Sequence, residues 1–276
     1  AILPLYEVIT LRTLGPERDR YGKVRLWGSV GFIGAVALVG AVLERVPVSA
    51  LPWLLLPVFA GIALSTFLVP AERGERRRSL PAGSLGRVLW QRAVLAFFLM
   101  NFLLQVSHGP YYTFFSIHLE RHGYGKFSIG LLWSLGVLAE IALFLVMHRL
   151  QRHLSLRRIA LGALLLTALR WGVIADLTGG LALLLLAQLL HAASYGALHA
   201  LSVQYIHGYF GQAHHGQGQA LYSGLSFGAG GAVGAWMSGL LVEYLGTGAA
   251  FWGGAVAATL ALLVAWWGIR APAESR

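Results

Sequence analysis

The chain has 276 residues, of which 57% are hydrophobic and 12% charged, and its mean hydropathy is +0.67; this excludes an ordinary soluble domain, whose charged share is about 25%. The net charge of +10 alternates between successive loops, as detailed below, and so argues against a nucleic-acid-binding surface. The lack of cysteine removes disulfides, thiol nucleophiles and thiolate metal ligands.

Taken in chain order, residues 1–11 begin apolar, lack an initiating Met and run into a charged loop. They read as the last turns of a helix that starts upstream, so the chain is expected to be N-terminally truncated. Eight complete spans follow, near 24–43, 51–69, 93–117, 127–147, 157–175, 180–206, 219–242 and 249–269. Each approaches the about 20 residues that cross about 30 Å of hydrocarbon. The predicted fold class is therefore an all-α membrane protein with eight complete transmembrane helices and the end of a ninth. The longest hydrophilic stretch, Pro70 to Arg92, carries Arg73, Arg76, Arg77 and Arg78 with Pro81, Gly83 and Gly86, and reads as a linker between two helical bundles. This divides the chain into 1–69, the linker 70–92 and a six-helix bundle 93–276.

Nearly all the basic residues lie in alternate loops. One set holds Arg12, Arg18, Arg20 and Lys23, then the linker arginines with Arg87 and Arg92, then Arg149, Arg152, Arg157 and Arg158, and finally Arg270 and Arg276. The opposite set holds only Arg45, Arg121 and Lys126. The positive-inside rule places the rich set, and with it the C-terminus, in the cytoplasm.

Three ionisable residues interrupt the apolar runs of the second half. Arg170 is the only charged residue in Ile159 to Ala175, Glu140 lies within Ile129 to Met147, and His191 lies within Leu181 to Tyr205. A central arginine costs about 2.5 to 3.5 kcal/mol on insertion scales, so it needs a partner. Glu140 and His191 are the candidates, and a purely structural Glu140 to Arg170 ion pair is the plainer alternative. Two polar stripes recur at intervals of three or four: Gln188, His191, Tyr195, His199 and Ser202 on one helix, and Asn101, Gln105, His108, Tyr112 and Ser116 on another. In lipid such stripes must face protein or water. Each histidine could equally be a hydrogen-bonded packing residue. Small residues at four-residue spacing, Gly31 with Ala35, Gly224 with Gly228 and Gly230 with Gly234, suggest close helix crossings.

The segment Tyr21 to Phe32 (YGKVRLWGSVGF), with Gly109-Pro110-Tyr111-Tyr112, Leu132 to Glu140, Leu169-Arg170-Trp171-Gly172 and Gln188-Leu189-Leu190-His191, resembles the lactose-permease-like branch of the major facilitator superfamily, and within it the 3-phenylpropionate transporter subgroup. The resemblance covers essentially the whole chain, from the end of family helix four through helix twelve. It implies a truncated major facilitator fold. It also implies substrate-binding roles for Glu7 and Arg25, eighteen residues apart as in the permease, and for Phe32, seven positions further on. Interfacial charges flanking a loop are the alternative for Glu7 and Arg25. Arg170 and His191 match a family arginine and histidine. Ser194 stands where the permease carries its protonated glutamate, and Gln188 replaces a lysine. Glu140 is then the substitute proton carrier, because a carboxyl in a membrane helix can switch charge as its access to water and its distance from Arg170 change.

Neither a P-loop nor an HExxH motif is present, and His214-His215 has no nearby carboxylate. The expectation is a proton symporter for a small organic solute, driven by the proton gradient without cofactor or metal, with an aromatic acid as the first candidate and a sugar or nucleoside as the alternative. An intramembrane enzyme and a non-transporting receptor are the competing classes. The expected partners are the substrate and the lipid bilayer, with no nucleic acid; the expected state is a monomer in a bacterial cytoplasmic membrane. The topology is testable in a chain with no native thiols: single cysteines at Ser79 and Ser275 should resist an impermeant maleimide in intact cells, and labelling of either from outside overturns the assigned orientation.

Overall fold

In the computed structural model, residues 21–68, 83–176 and 180–270 are described, and among them every regular element is helical. Backbone polar groups in hydrocarbon must be satisfied within the segment, which leaves the long apolar runs no other form. In chain order the helices are α1 (Tyr21–Leu43), α2 (Leu51–Leu68), α3 (Gly83–Leu89), α4 (Arg92–Arg121), α5 (Lys126–His153), α6 (Leu156–Asp176), α7 (Leu181–Leu189), α8 (Leu198–Tyr222), α9 (Gly231–Leu245) and α10 (Thr247–Gly268). Two π-helical segments, Ala192–Ala197 and Ser223–Gly230, join α7 to α8 and α8 to α9. Seven stretches are long and apolar enough to cross a membrane, and Trp27–Leu43 forms a shorter apolar helix. They coincide with the eight spans expected from sequence. The proposed ninth, at residues 1–11, and residues 70–82 of the linker lie outside the described residues.

Helix α4 is the axis of the bundle: α9 and α10 pack along it, and α6 packs on α10. At 30 residues it is about 45 Å long. Pro110 within it has no N–H for the carbonyl of Val106. That freed carbonyl faces Gly234 of α9, where a side-chain carbon would lie 2.6 Å from the oxygen. Gly109 meets the backbone of Gly234, Gly230 meets the Phe102 carbonyl, and Gly254 of α10 faces the Ser107 carbonyl, which a side-chain carbon there would approach to 2.8 Å. These glycine contacts let helices approach α4 at backbone distance. Helix α1 packs against α5, where a side-chain carbon at Gly130 would lie 3.1 Å from the Val36 carbonyl oxygen and one at Gly40 would lie 3.0 Å from that of Lys126. Glu44 accepts a hydrogen bond from the Phe127 amide at 3.0 Å, and Lys126 donates to the Leu43 carbonyl at 3.0 Å.

The small-residue pairs are therefore partly corrected. Gly230 and Gly234 sit at a close crossing, whereas Gly31 and Gly224 have no neighbour within 4 Å and Gly228 meets only a carbonyl of its own segment. Spacing identified small residues but not the face they occupy. The single span expected at 180–206 also differs, because its helix passes through a π-helical turn and continues to Gly211, whose φ of 55° breaks it.

Two apolar cores occupy the ends of the bundle. Phe97, Leu104, Leu164, Leu201, Tyr205 and Ala261 belong to one, and Phe115, Leu132, Ile174, Leu184 and Phe251 to the other. Between them, in sequence on α4 and α6, lies a buried polar layer that includes Gln105, His108 and Arg170. At the outer end of the second core, His118 donates from Nε2 to the Ile174 carbonyl at 2.9 Å and accepts at Nδ1 from the Thr247 hydroxyl at 2.7 Å, fastening α4 to α6 and α10. The backbone crossing predicts that Gly234→Leu destabilises the protein by about 1 to 3 kcal/mol or more through overpacking, while Gly31→Ala is neutral. Thermal unfolding midpoints in detergent check both, and equal midpoints would remove the crossing from the argument.

Candidate functional site

Arg170 is fully buried and its guanidinium is held on every side. Nε donates to the Ala187 carbonyl at 2.8 Å, Nη1 to Ser194 Oγ at 3.0 Å and Nη2 to Gln188 Oε1 at 3.1 Å. Two aromatic rings lie against it, with Cζ at 4.4 Å from the Tyr111 centroid and 4.3 Å from that of Trp171, and the rings meet each other at 5.6 Å, so they flank the cation as adjoining walls. A desolvated cation over an aromatic face gains about 2 kcal/mol, so the pair of rings offsets much of the cost of placing the charge there. Gln188 Oε1 also accepts from the Tyr111 hydroxyl at 3.2 Å, which ties α4, α6 and α7 through one amide oxygen.

Glu140 reaches His191, with Oε1 at 2.8 Å from Nε2. Their side chains are only 15% and 7% exposed. Two glycines allow the approach: a side chain at Gly136 would meet His191 Cδ2 at 3.1 Å, and one at Gly196 would meet Glu140 Cγ at 3.4 Å. Sequence alone offered Glu140 as the ion-pair partner of Arg170. The structure gives its carboxylate a close partner in His191 and surrounds the arginine with hydrogen-bonded neutral oxygens. Ser194, the position at which the resemblance lost its glutamate, is one of them.

The imidazole of His191 begins a stacked column one helical turn apart. Tyr195 lies 5.7 Å from it at 12° and His199 lies 5.9 Å from Tyr195 at 7°. His199 Nδ1 is 3.2 Å from the Tyr222 hydroxyl. His108 is buried with Nδ1 at 2.8 Å from the Leu104 carbonyl, and its ring meets Trp171 edge-on at 5.1 Å. Tyr112 is 51% exposed and stacks against Trp133 at 6.3 Å and 20°. Trp133 Nε1 donates to Ser116 at 3.1 Å. Three buried nitrogens, His108 Nε2, Gln188 Nε2 and His191 Nδ1, have no protein hydrogen-bond partner.

Of the residues expected from sequence, Glu140, Arg170, Gln188, His191, Tyr195, His199, His108 and Tyr112 converge on this layer. Asn101 is buried lower on α4, donating to the Phe97 carbonyl at 2.9 Å and accepting from Ser202 at 2.8 Å, and Gln105 is buried against Gly230. Phe32 is 42% exposed on α1 and makes none of the ring contacts of the layer. Arg25 lies in α1, but its side chain, like Glu7, falls outside the described residues. The sequence reading missed Tyr111, Trp171 and Trp133 as site residues. The adjacency of Trp171 to Arg170 and the Tyr111-Tyr112 pair were the available signals.

Residues 1–252 match the family described as "MFS_1 like family". The chain is 32% identical over 238 residues to a protein of Escherichia coli (strain K12) described as a probable 3-phenylpropionic acid transporter, an alignment covering 84% of this chain and 61% of that protein. It is 26% identical over 253 residues to maltose permease of Geobacillus stearothermophilus, covering 89% of this chain and 61% of the permease. The chain thus spans about three fifths of the length of these two curated relatives. The multi-pass helical fold and the extent of the family match agree, and the chain belongs to the MFS_1-like family of the major facilitator superfamily, a family of transporters and not of enzymes.

Proposed function

We propose that the chain is the larger part of a secondary active transporter that carries a small organic acid together with a proton by alternating access. The observation that supports this most is the Glu140 to His191 pair, at 2.8 Å, in the same buried layer as a fixed arginine. With Glu140 ionised and His191 neutral, its charge and that of Arg170 sum to zero. One proton taken up by the Glu140 and His191 pair leaves the layer positive. A carboxylate is then attracted, and by linkage a bound carboxylate favours uptake of the proton. Proton and monoanion cross together without net charge.

Arg170 lies against two aromatic rings and has all three nitrogens engaged within the protein. It sets the charge of the layer, and the carboxylate ligand we assign is Arg25, with Glu7 and Phe32 beside it in the complete protein. Tyr112 and Trp133 offer a stacking surface for an aromatic ring, in keeping with the 3-phenylpropionic acid transporter among the relatives. Gln105, His108, Gln188, Tyr195 and His199 supply polar contacts around it. A sugar is the second reading, favoured by the three unpaired buried nitrogens and by the maltose permease relative. The proposed organisation places 1–69 in one bundle and 93–276 in the other, joined by 70–92, in a bacterial cytoplasmic membrane with a cytoplasmic C-terminus and a monomeric unit.

Two experiments in the complete protein test this reading. Glu140→Gln fixes an uncharged side chain of the same shape, so proton-driven accumulation of 3-phenylpropionate should fail while exchange of labelled for unlabelled solute continues. Accumulation against a gradient with normal proton uptake would falsify the role of Glu140. Arg25→Lys keeps the charge but loses the planar fork, and should raise the Kd for 3-phenylpropionate about tenfold or more, the cost of one charge-assisted hydrogen bond. An unchanged Kd reduces Arg25 to an interfacial anchor, and a maltose Kd that rises in its place selects the sugar.

A further inference from the structure

The first turns of α4 and the last turns of α10 form an open groove of about 390 Å³ that plays no part in the polar layer. Its apolar wall consists of Leu95, Leu99 and Val264, and Trp90, Trp267 and Arg92 stand at its end. Its floor is closed where Gly268 meets the methyl of Ala96, so a chain can lie along the groove but not pass between the helices. Trp90 is 81% and Trp267 75% exposed. Indoles so exposed at the ends of membrane helices belong at the headgroup level, with the ring against acyl chains and the N–H toward water.

Among the described residues, the two helix ends that form the groove carry charge of one sign. Residues 83–100 carry Arg87 and Arg92 and no carboxylate, and residues 256–270 carry Arg270 and no carboxylate. We infer that this groove holds an anionic phospholipid: the phosphate against Arg92 and the indole N–H groups, and one acyl chain along Leu95, Leu99 and Val264. A zwitterionic lipid would fill the same apolar wall but gain less from the unopposed basic cluster. The inference is independent of what the polar layer transports.

Purified full-length protein in phosphatidylcholine nanodiscs, doped with a phosphatidylglycerol carrying a diazirine in its acyl chain, provides the test. Photolysis and peptide mass spectrometry should place adducts on 95–99 and 264–268, several-fold more than with the matching phosphatidylcholine probe. Arg92→Gln should lower phosphatidylglycerol labelling about fivefold, the effect of one basic residue at an anionic surface, and leave phosphatidylcholine labelling unchanged. Arg92→Lys should keep most of it, and high salt should weaken it in the unaltered protein, so the charge effect is measurable even if the glutamine variant folds poorly. Equal labelling by the two probes, labelling of α2 as strong as that of the groove, or an unchanged signal in correctly folded Arg92→Gln overturns the inference. So does protection of the groove from both probes, which would mean that another segment of the protein covers it.

Discussion

The burial of Arg170 sets the conditions under which the rest of the bundle is built. A guanidinium cannot lose its proton at accessible pH, so it cannot escape its cost by neutralising. It must be given acceptors and faces. Gln188, Ser194 and the Ala187 carbonyl are the acceptors, Tyr111 and Trp171 the faces, and they come from α4, α6, α7 and the π-helical turn after it. Placing those groups around one side chain fixes how the helices meet. The backbone-distance crossings at Gly109, Gly230, Gly234 and Gly254 then bring α9 and α10 close against α4, and α10 completes the two apolar cores.

Neutral solvation of the arginine also has a chemical consequence. Had a glutamate occupied position 194, its carboxylate would stand beside the guanidinium, and proton uptake there would break a strong ion pair. Ser194 offers a hydroxyl instead, and Glu140, on a different helix, is paired with an imidazole. In the proposed symport, the charge that stays and the charge that changes would thereby be held by different residues. An acid and a neutral imidazole can share an added proton in either order, which keeps the step small.

How much of this was legible in the sequence depended on which physical signal was local. Spans followed from run length, because nothing but a helix satisfies backbone groups in lipid. Glu140, Arg170 and His191 were visible because a lone ionisable group in an apolar run is expensive wherever it sits. The partners of Arg170 were not, since Tyr111 and Trp171 are ordinary aromatic residues until a cation lies against them. Glycine spacing indicated a crossing for Gly230 and Gly234, whereas a side-chain carbon at Gly31 would meet nothing within 4 Å among the described residues. A four-residue interval states that two residues share a face but not what that face meets.

The π-helical segment Ala192–Ala197 is the feature least visible from sequence, and it lies where the chemistry is concentrated. An α-helix turns about 100° per residue, so one residue accommodated in a wider turn re-aims everything beyond it. Such turns recur at functional sites. Here the residues before the turn, Gln188 and His191, serve Arg170 and Glu140, and those within and after it, Ser194 and Ser202, return to Arg170 and Asn101. The segment packs against both α5 and α6. It therefore touches the helix that carries Glu140 and the helix that carries Arg170. A change in how the turn is wound would alter both the reach between the acid and its imidazole and the hydrogen bond from Arg170 to Ser194. In the proposed symport, geometry of that kind would couple proton uptake to a movement of helices without any charge having to leave the protein interior.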